Sequence, residues 1–371
     1  MNELKIQRLL REQGFDKTVK DLELRTREED GLYQFNYYID SPKGEQAAEE
    51  CRGLILNSND NWSVVAYGFY RFYNREQEQA ANIDYKKAIV QEKLDGSLMM
   101  LYYSPIIHQW QVATRGSIKA TGPVNNDPNT TFKRLFWTTI ENYHLFYISM
   151  LDKHCTYMFE LTSPQNRVIT PYDKPELHLL GVRNRETLEE IDYEWLKVLS
   201  TKIGIPLPKL YPLCDEEGIN KMLSSFKATD EGFVVVDYTK RVNGSFPRVK
   251  IKNARYVTLH YLLDAGEEDF MSSKIVIDII KKGETDEVLS YFPEFKPEFD
   301  KIFTRIEQIG SKIDKEFHMI KHITDRKPFA EEAKKGMVPG ALFSLLDLKV
   351  VCGKDYIMDM KTPQLIKLLN S

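Results

Sequence analysis

The stretch Ala88-Ile89-Val90-Gln91-Glu92-Lys93-Leu94-Asp95-Gly96-Ser97-Leu98-Met99-Met100-Leu101 decides how this chain is read. An apolar run containing two β-branched residues leads to Lys93, and a second apolar run follows Gly96. The pattern predicts a strand ending at the lysine, a tight turn at Gly96, and another strand beyond it. A lone Lys-x-Asp-Gly is common in surface turns. Its weight here comes from the charged motifs that follow.

Three of those motifs are strand-like, and a strand alternates its side chains between two faces. In Arg248-Val249-Lys250-Ile251-Lys252 the three cations share one face and the two aliphatics the other. In Tyr157-Met158-Phe159-Glu160-Leu161, Glu160 points away from Tyr157, Phe159 and Leu161. Glu231 opens the apolar strand Gly232-Phe233-Val234-Val235-Val236. Taken singly, each is an amphipathic strand or a turn residue.

Composition bounds the class. A chain of 371 residues has room for two domains, and 42% apolar residues can build real cores. The formal net charge of -4 gives no bulk attraction to nucleic acid, so any basic patch must be local. Cys51, Cys155, Cys214 and Cys352 form no Cys-x-x-Cys pair. Zinc spacing is absent and a disulfide framework is not expected, which fits a reducing cytoplasm. His318 and His322 stand four apart on an expected helix, but Met319 follows the first where a zinc protease needs glutamate. The chain opens Met1-Asn2-Glu3-Leu4 without an apolar signal core. No run approaches the ~20 apolar residues of a membrane span. A soluble monomer is expected.

Strands are expected at Cys51–Leu56, Ser63–Tyr67, Ala88–Lys93, Leu98–Tyr103, Trp110–Thr114, Thr156–Leu161, Leu177–Val182, Gly232–Asp237 and Arg248–Lys252. Helices are expected at Ile6–Gln13, Thr130–Leu151 and Tyr193–Ile203. After about Leu259 the period changes. Apolar residues from Phe299 to Ile323 recur at steps of three and four, predicting a long amphipathic helix. Thr362 followed by Pro363 is expected to cap a last helix.

Together the motifs resemble the covalent nucleotidyltransferases, the superfamily of ATP-dependent ligases and capping enzymes. Lys93-Leu94-Asp95-Gly96 is similar to its nucleophile motif, Phe159-Glu160 to its ribose motif, Glu231-Gly232-Phe233-Val234-Val235 to its metal motif, and Lys250-Ile251-Lys252 to its final phosphate motif. The order along the chain agrees as well. Glu50-Cys51-Arg52-Gly53-Leu54 narrows the resemblance to the phage-type tRNA-repair RNA ligases, the RNA ligase 1 family. So do Arg71-Phe72-Tyr73-Asn74, Arg115-Gly116-Ser117-Ile118-Lys119, Pro164-Gln165-Asn166-Arg167-Val168-Ile169 and the segment from Lys252 to His260. The resemblance runs from about Leu32 to His260 and weakens in the helical tail. Arg71 and Arg115 stand where the phage pattern has lysines, which keeps the charge and allows a bidentate grip on phosphate.

The resemblance implies an α+β fold: a nucleotidyltransferase (ATP-grasp-like) domain of antiparallel sheets with helices over 1–260, then a small all-helical domain over 261–371. It implies an ATP-dependent RNA ligase joining 5′-phosphate and 3′-hydroxyl ends, with a cleaved tRNA anticodon loop as one candidate substrate. Lys93 would carry AMP. A free lysine has a pKa of about 10.4 and must lose its proton to attack. Lys250 and Lys252 would hold the α-phosphate. Arg52, Arg71 and Arg115 would hold the triphosphate tail, surface salt bridging being the alternative. Glu160 would read the ribose, the Glu92 backbone the adenine, and Gly96 would let the chain turn tightly beside the nucleotide. Glu231 would bind Mg²⁺ or Mn²⁺. Asp286 is a candidate tail ligand for metal, or a helix-start acid. Phe35 stands where the family has an aromatic near the nucleotide. Tyr256 is assigned to RNA or closed-site contact. Core packing is the alternative for both.

Two rivals remain. DNA ligases and capping enzymes normally append an oligonucleotide-binding barrel, and the helical period of the tail argues against one. A non-catalytic RNA-end-binding protein on a ligase fold would be marked by loss of Lys93 or Glu231, and both are present. P-loop and protein-kinase motifs are absent.

Overall fold

The computed structural model describes residues 3–38, 41–143, 148, 150–212, 215–257, 260, 272–323, 325–347 and 350–370. Cys214, Thr258 and Leu259 lie outside them. The chain divides into two compact units, Met1–His260 and Tyr261–Ser371. The fold is α+β. Among the described residues, three four-stranded antiparallel sheets and one two-stranded sheet, β8 (Pro123–Val124) with β9 (Asp127–Thr131), build the first unit with helices against them, and the elements of the second are helical.

The first sheet orders β1 (Leu24–Glu29), β2 (Leu32–Tyr37), β3 (Arg52–Asn57) and β4 (Ser63–Ala66). It packs on α1 (Lys5–Gln13), α2 (Phe15–Asp21) and α3 (Gln46–Glu50). The second orders β11 (Glu176–Asn184), β10 (Cys155–Thr162), β6 (Ser97–Ser104) and β7 (Gln109–Thr114). Its central β10 is buried on both faces except at Glu160. Tyr157, Phe159 and Leu161 join Phe136 of α4 (Phe132–Ile140) and Leu196 of α5 (Tyr193–Ile203) in one core. Helix α5 starts where the Asp192 side chain accepts the Trp195 N–H at 3.0 Å, and stops at left-handed Gly204.

The third sheet orders β12 (Leu210–Tyr211), β5 (Ile89–Glu92), β13 (Gly232–Val236) and β14 (Arg248–Lys252). Val90, Phe233, Val235, Val249 and Ile251 pack on Ile219 of α6 (Glu216–Ser224). Burying those aliphatics turns Arg248, Lys250 and Lys252 to the opposite face.

Strand β14 and helix α5 have the expected bounds. Of the expected helix Thr130–Leu151, the described residues form α4, capped by the Thr131 hydroxyl accepting the Arg134 N–H at 3.2 Å, and residues 144–147 and 149 lie outside them. Residues 141–143 then turn, Asn142 being a weak helix former. In the second unit the long helix spans Lys296–Ile320 and buries Phe299, Ile306, Ile309 and Ile313. His318 belongs to it, whereas His322 sits in the turn beyond. Thr362 is the first residue of the helix Thr362–Leu369 rather than its cap, and its hydroxyl donates to Asp278 Oδ1 at 2.5 Å. No helix among the described residues is long and apolar enough to cross a membrane.

Candidate active site

Lys93 comes directly after β5, and its N–H donates to the Gly232 carbonyl at 2.9 Å. The sheet register sets Glu92 opposite Phe233 and Gly232 opposite Lys252. Lys93, Glu231 and Lys252 therefore meet at one end of the sheet. Lys93 Nζ lies 2.5 Å from Glu231 Oε1, and Lys252 Nζ 3.4 Å from the same oxygen. Glu231 is nearly buried, with 6% of its side chain exposed.

The turn after Lys93 is tied down by Asp95, to which the sequence reading gave no role. Its Oδ2 accepts the N–H groups of Ile169 and Thr170 at 2.8 and 2.6 Å, and its Oδ1 accepts the Tyr256 hydroxyl at 2.6 Å. Tyr256 is 3% exposed, so its hydroxyl is turned away from solvent and onto Asp95. Gly96 does not need glycine for a left-handed turn, as a tight-turn role would require. Instead, a Cβ there would stand 2.5 Å from the Leu161 carbonyl oxygen and 3.1 Å from Glu160 Cγ. Strand β10 has to come this close to bring Glu160 to the site. Burial pushes the Glu160 carboxyl up to about 8; Lys93 opposes the rise, Glu231 and Asp95 add to it, and Arg52 opposes it. The Glu92 N–H is taken by the Lys209 carbonyl at 2.8 Å, so any backbone contact to adenine falls to the Glu92 carbonyl.

A second cluster forms where the first sheet faces β14. Phe35 is fully buried with Phe15, Tyr33 and Trp62 in the N-terminal core, as its core-packing alternative expects. The aromatic within the cation cluster is Tyr37. In β3, Leu54 pairs with Phe35 but Arg52 pairs with Asn36, so Gly53 (φ 79°) is an inserted bulge. The bulge takes Arg52 off the core face of Leu54. Arg71 and Arg115 cover the Tyr37 ring, with Cζ 4.1 and 4.6 Å from its centroid. Burial raises the Tyr37 phenol, but Arg115, Arg52, Lys250 and Arg71 outweigh it and bring the pKa down to about 7. One terminal nitrogen each on Arg52 and Arg71 is buried without a hydrogen-bond partner. A buried orphan donor costs about 1–3 kcal/mol, more when charged. Such a cost is a reason to look for an absent anion. Asn74 adds a fully buried carboxamide with neither polar atom paired, bridged in parallel to Lys250.

Arg248 does not join these cations. Both its terminal nitrogens bond the Glu190 carboxylate, at 2.8 and 2.6 Å, and Arg183 holds the same carboxylate at 2.8 Å. Burial opposes the Glu190 charge, yet Arg248 and Arg183 hold its pKa below the usual carboxylate value. This buried triad anchors the start of β14, two residues before Lys250. Asp286 lies in the other unit, on the helix Thr285–Tyr291. Among the described residues no group of three or more His, Cys, Asp or Glu side chains forms a metal cage. A cation at Glu231 would need phosphate or water oxygens to complete its shell.

Curated relatives resemble the chain, two viral proteins among them. "Putative bifunctional polynucleotide kinase/RNA ligase" of Autographa californica nuclear polyhedrosis virus is 32% identical over 79% of the chain and 42% of its own length. "RNA ligase" of Rhodothermus phage RM378 is 28% identical over 62% of the chain and 64% of its own length. The chain thus spans less than two thirds of the length of either. Among solved structures, an archaeal ATP-dependent RNA ligase shares 14% identity over 83% of both chains, with a TM-score of 0.48. The family model described as RNA ligase matches residues 50–256, more than half of the chain, and the protein belongs to that family.

Proposed function

We propose that the protein is an ATP-dependent RNA ligase that joins 5′-phosphate to 3′-hydroxyl ends through AMP carried on Lys93. One observation carries the reading. Lys93 is held by Glu231 at the end of a sheet whose β14 also contributes Lys250 to a cluster containing unpaired buried guanidinium nitrogens.

The reaction would be three in-line phosphoryl transfers, so its catalysis is mainly positioning and charge neutralisation. The Lys93 amine attacks the α-phosphorus of ATP and pyrophosphate leaves. The 5′-phosphate of an RNA end then displaces the lysine, and the 3′-hydroxyl of the other end finally displaces AMP. Arg52, Arg71 and Arg115 suit the polyphosphate because each can fork onto oxygens. Lys250 and Lys252 suit the α-phosphate. Glu160, neutral through much of the physiological range, can both donate to and accept from a ribose hydroxyl. Glu231 is the carboxylate fitted to Mg²⁺ or Mn²⁺, which when bound supplies charge neutralisation to the phosphates. Committing Glu231 to such an ion would also release Lys93 from its salt bridge.

The test is sealing of a single-stranded RNA carrying a 5′-phosphate and a 3′-hydroxyl. Closure with ATP and a divalent cation is expected, and none without ATP. No sealing of RNA, with efficient sealing of nicked DNA, would transfer the assignment to a DNA ligase. The helical unit is proposed to select the RNA, with a cleaved anticodon loop as substrate. In that case a nicked stem-loop should outcompete a linear oligonucleotide with the same ends.

A further inference from the structure

A cavity of about 320 Å³ opens in the first unit beside the cation cluster. It is lined by Tyr70-Arg71-Phe72-Tyr73, by Gln79 and Asn82, and by the segment leading into β14, including Val242 and Phe246. Glu49 lines it too, with its carboxylate taken by the Tyr73 hydroxyl and the Gly44 N–H. Arg71 lines both places. Its Cζ is 4.1 Å from the Tyr37 ring and 4.8 Å from that of Tyr73, and one of its terminal nitrogens has no partner. Arg248 also lines the cavity but is fully committed to Glu190. Lys240 lines it as well and pairs with Asp237 at 3.7 Å, so Arg71 is the lining cation that has a buried terminal nitrogen without a partner.

We infer that this cavity is the subsite for the 5′-terminal nucleoside of the RNA end that receives AMP. The inference rests on the ligase reading above and follows from in-line geometry. Pyrophosphate leaves the α-phosphorus opposite the incoming Lys93 nitrogen. In the next step the phosphorus–nitrogen bond breaks, a bond to the RNA 5′-phosphate oxygen forms, and the lysine leaves as an amine that takes up a proton. The attacking oxygen must come from opposite that nitrogen, through the space pyrophosphate vacated. The RNA 5′-phosphate thus inherits the Arg52–Arg71–Arg115 cluster, and the nucleoside bonded to it lies just outside.

The cavity adjoins the cluster at Arg71 and is of the right kind. At about 320 Å³ it sits at the small end of ligand pockets, which span about 300–1,000 Å³. Aromatic walls with nearby cations are how proteins seat single-stranded bases, and side-chain amides read base edges. Gln79 and Asn82 supply both donors and acceptors. The pocket therefore takes a terminal nucleotide whose base is unpaired.

The test uses the full chain and two readouts, lysyl-AMP formation and AMP transfer to a 5′-phosphorylated RNA oligonucleotide. Val242 is 56% exposed, so Val242→Trp fills the cavity without disturbing the core. It should leave lysyl-AMP formation near wild type while raising the KM for RNA about tenfold or more. An RNA lacking its 5′-terminal base should show a similar penalty with the wild type and little further penalty with the variant. Asn82→Ala provides a second variant if Val242→Trp does not fold, and should narrow the wild type's discrimination against the abasic end. Equal use of abasic and normal ends by the wild type would overturn the subsite. Absence of lysyl-AMP in the wild type would instead overturn the ligase reading itself.

Discussion

Glu231 Oε1 lies 2.5 Å from Lys93 Nζ, so the residue proposed to hold metal is also the one restraining the proposed nucleophile. Glu231→Gln keeps the shape of the side chain but removes the charge. Lysyl-AMP formation should fall about 10²–10³-fold, and its dependence on divalent cation concentration should shift to higher concentration. The measurement is the single-turnover rate against Mg²⁺. An unchanged metal dependence would separate Glu231 from any metal role.

Tyr37 predicts a pH effect. Its phenol is lowered to about 7 from 10.0, so the folded state favours the phenolate. The stabilisation is complete above pH 10, declines as pH falls, and is gone below about 7. Wild type should therefore gain on Tyr37→Phe by roughly 1 kcal/mol per pH unit across that window, less where solvent screens the charges. Urea unfolding of both proteins at the two ends of the window measures it. Parallel stability curves would contradict the four-cation account. Added pyrophosphate should also reprotonate the phenol, seen as loss of phenolate absorbance.

Glu160 shifts the other way. Its carboxyl is raised from 4.5 to about 8, so the native state resists its ionisation. The resulting penalty is absent below pH 4.5 and grows until pH passes about 8. Glu160→Gln should be no less stable than wild type at pH 8 and should flatten the fall between these values, while weakening ATP binding. A variant that unfolds more easily at pH 8 would refute the burial argument.

Asp95 and Tyr256 should be coupled. Tyr256→Phe removes one buried hydrogen bond, a loss of about 1–3 kcal/mol. Asp95→Asn weakens three acceptor contacts and should cost more. In a double-mutant cycle the two should fall short of additivity by about 0.5 kcal/mol or more. Strict additivity would mean that their 2.6 Å contact carries no energy.

How much of this was legible in the sequence follows the physics of each residue. Strand β14 showed its bounds because cations and aliphatics alternate strictly in Arg248–Lys252. Lys93 and Glu231 were legible through their neighbours, Lys93 flanked by apolar runs and Glu231 heading one. Strand β1 was missed because Arg25, Arg27, Glu28 and Glu29 mask an edge strand as a charged loop, whereas β2 carries no charge and its Tyr33, Phe35 and Tyr37 were a usable strand signal. Phe35 was singled out by the resemblance, and the arginines stacked on Tyr37 two residues later come from distant segments that no local pattern shows; the bulge that turns Arg52 toward them cannot be read from alternation, although Gly53 beside it was a usable hint. Asp95 stood in the quoted motif, but its partners are Ile169, Thr170 and Tyr256, more than 70 residues away in sequence. Nothing local shows such a link. The cavity beside Arg71 is likewise assembled from segments far apart in the chain.

The central claim is that Lys93 carries AMP, and the direct measurement is covalent labelling. The full chain is incubated with a divalent cation and ATP labelled at the α-phosphate, then denatured, with Lys93→Ala alongside and mass spectrometry of the protein as purified. The account predicts label on the wild type, or AMP already present on Lys93, and none on the variant. A wild type that carries no AMP as purified and takes up no label would contradict it. Equal labelling of the Lys93→Ala protein would contradict it as well.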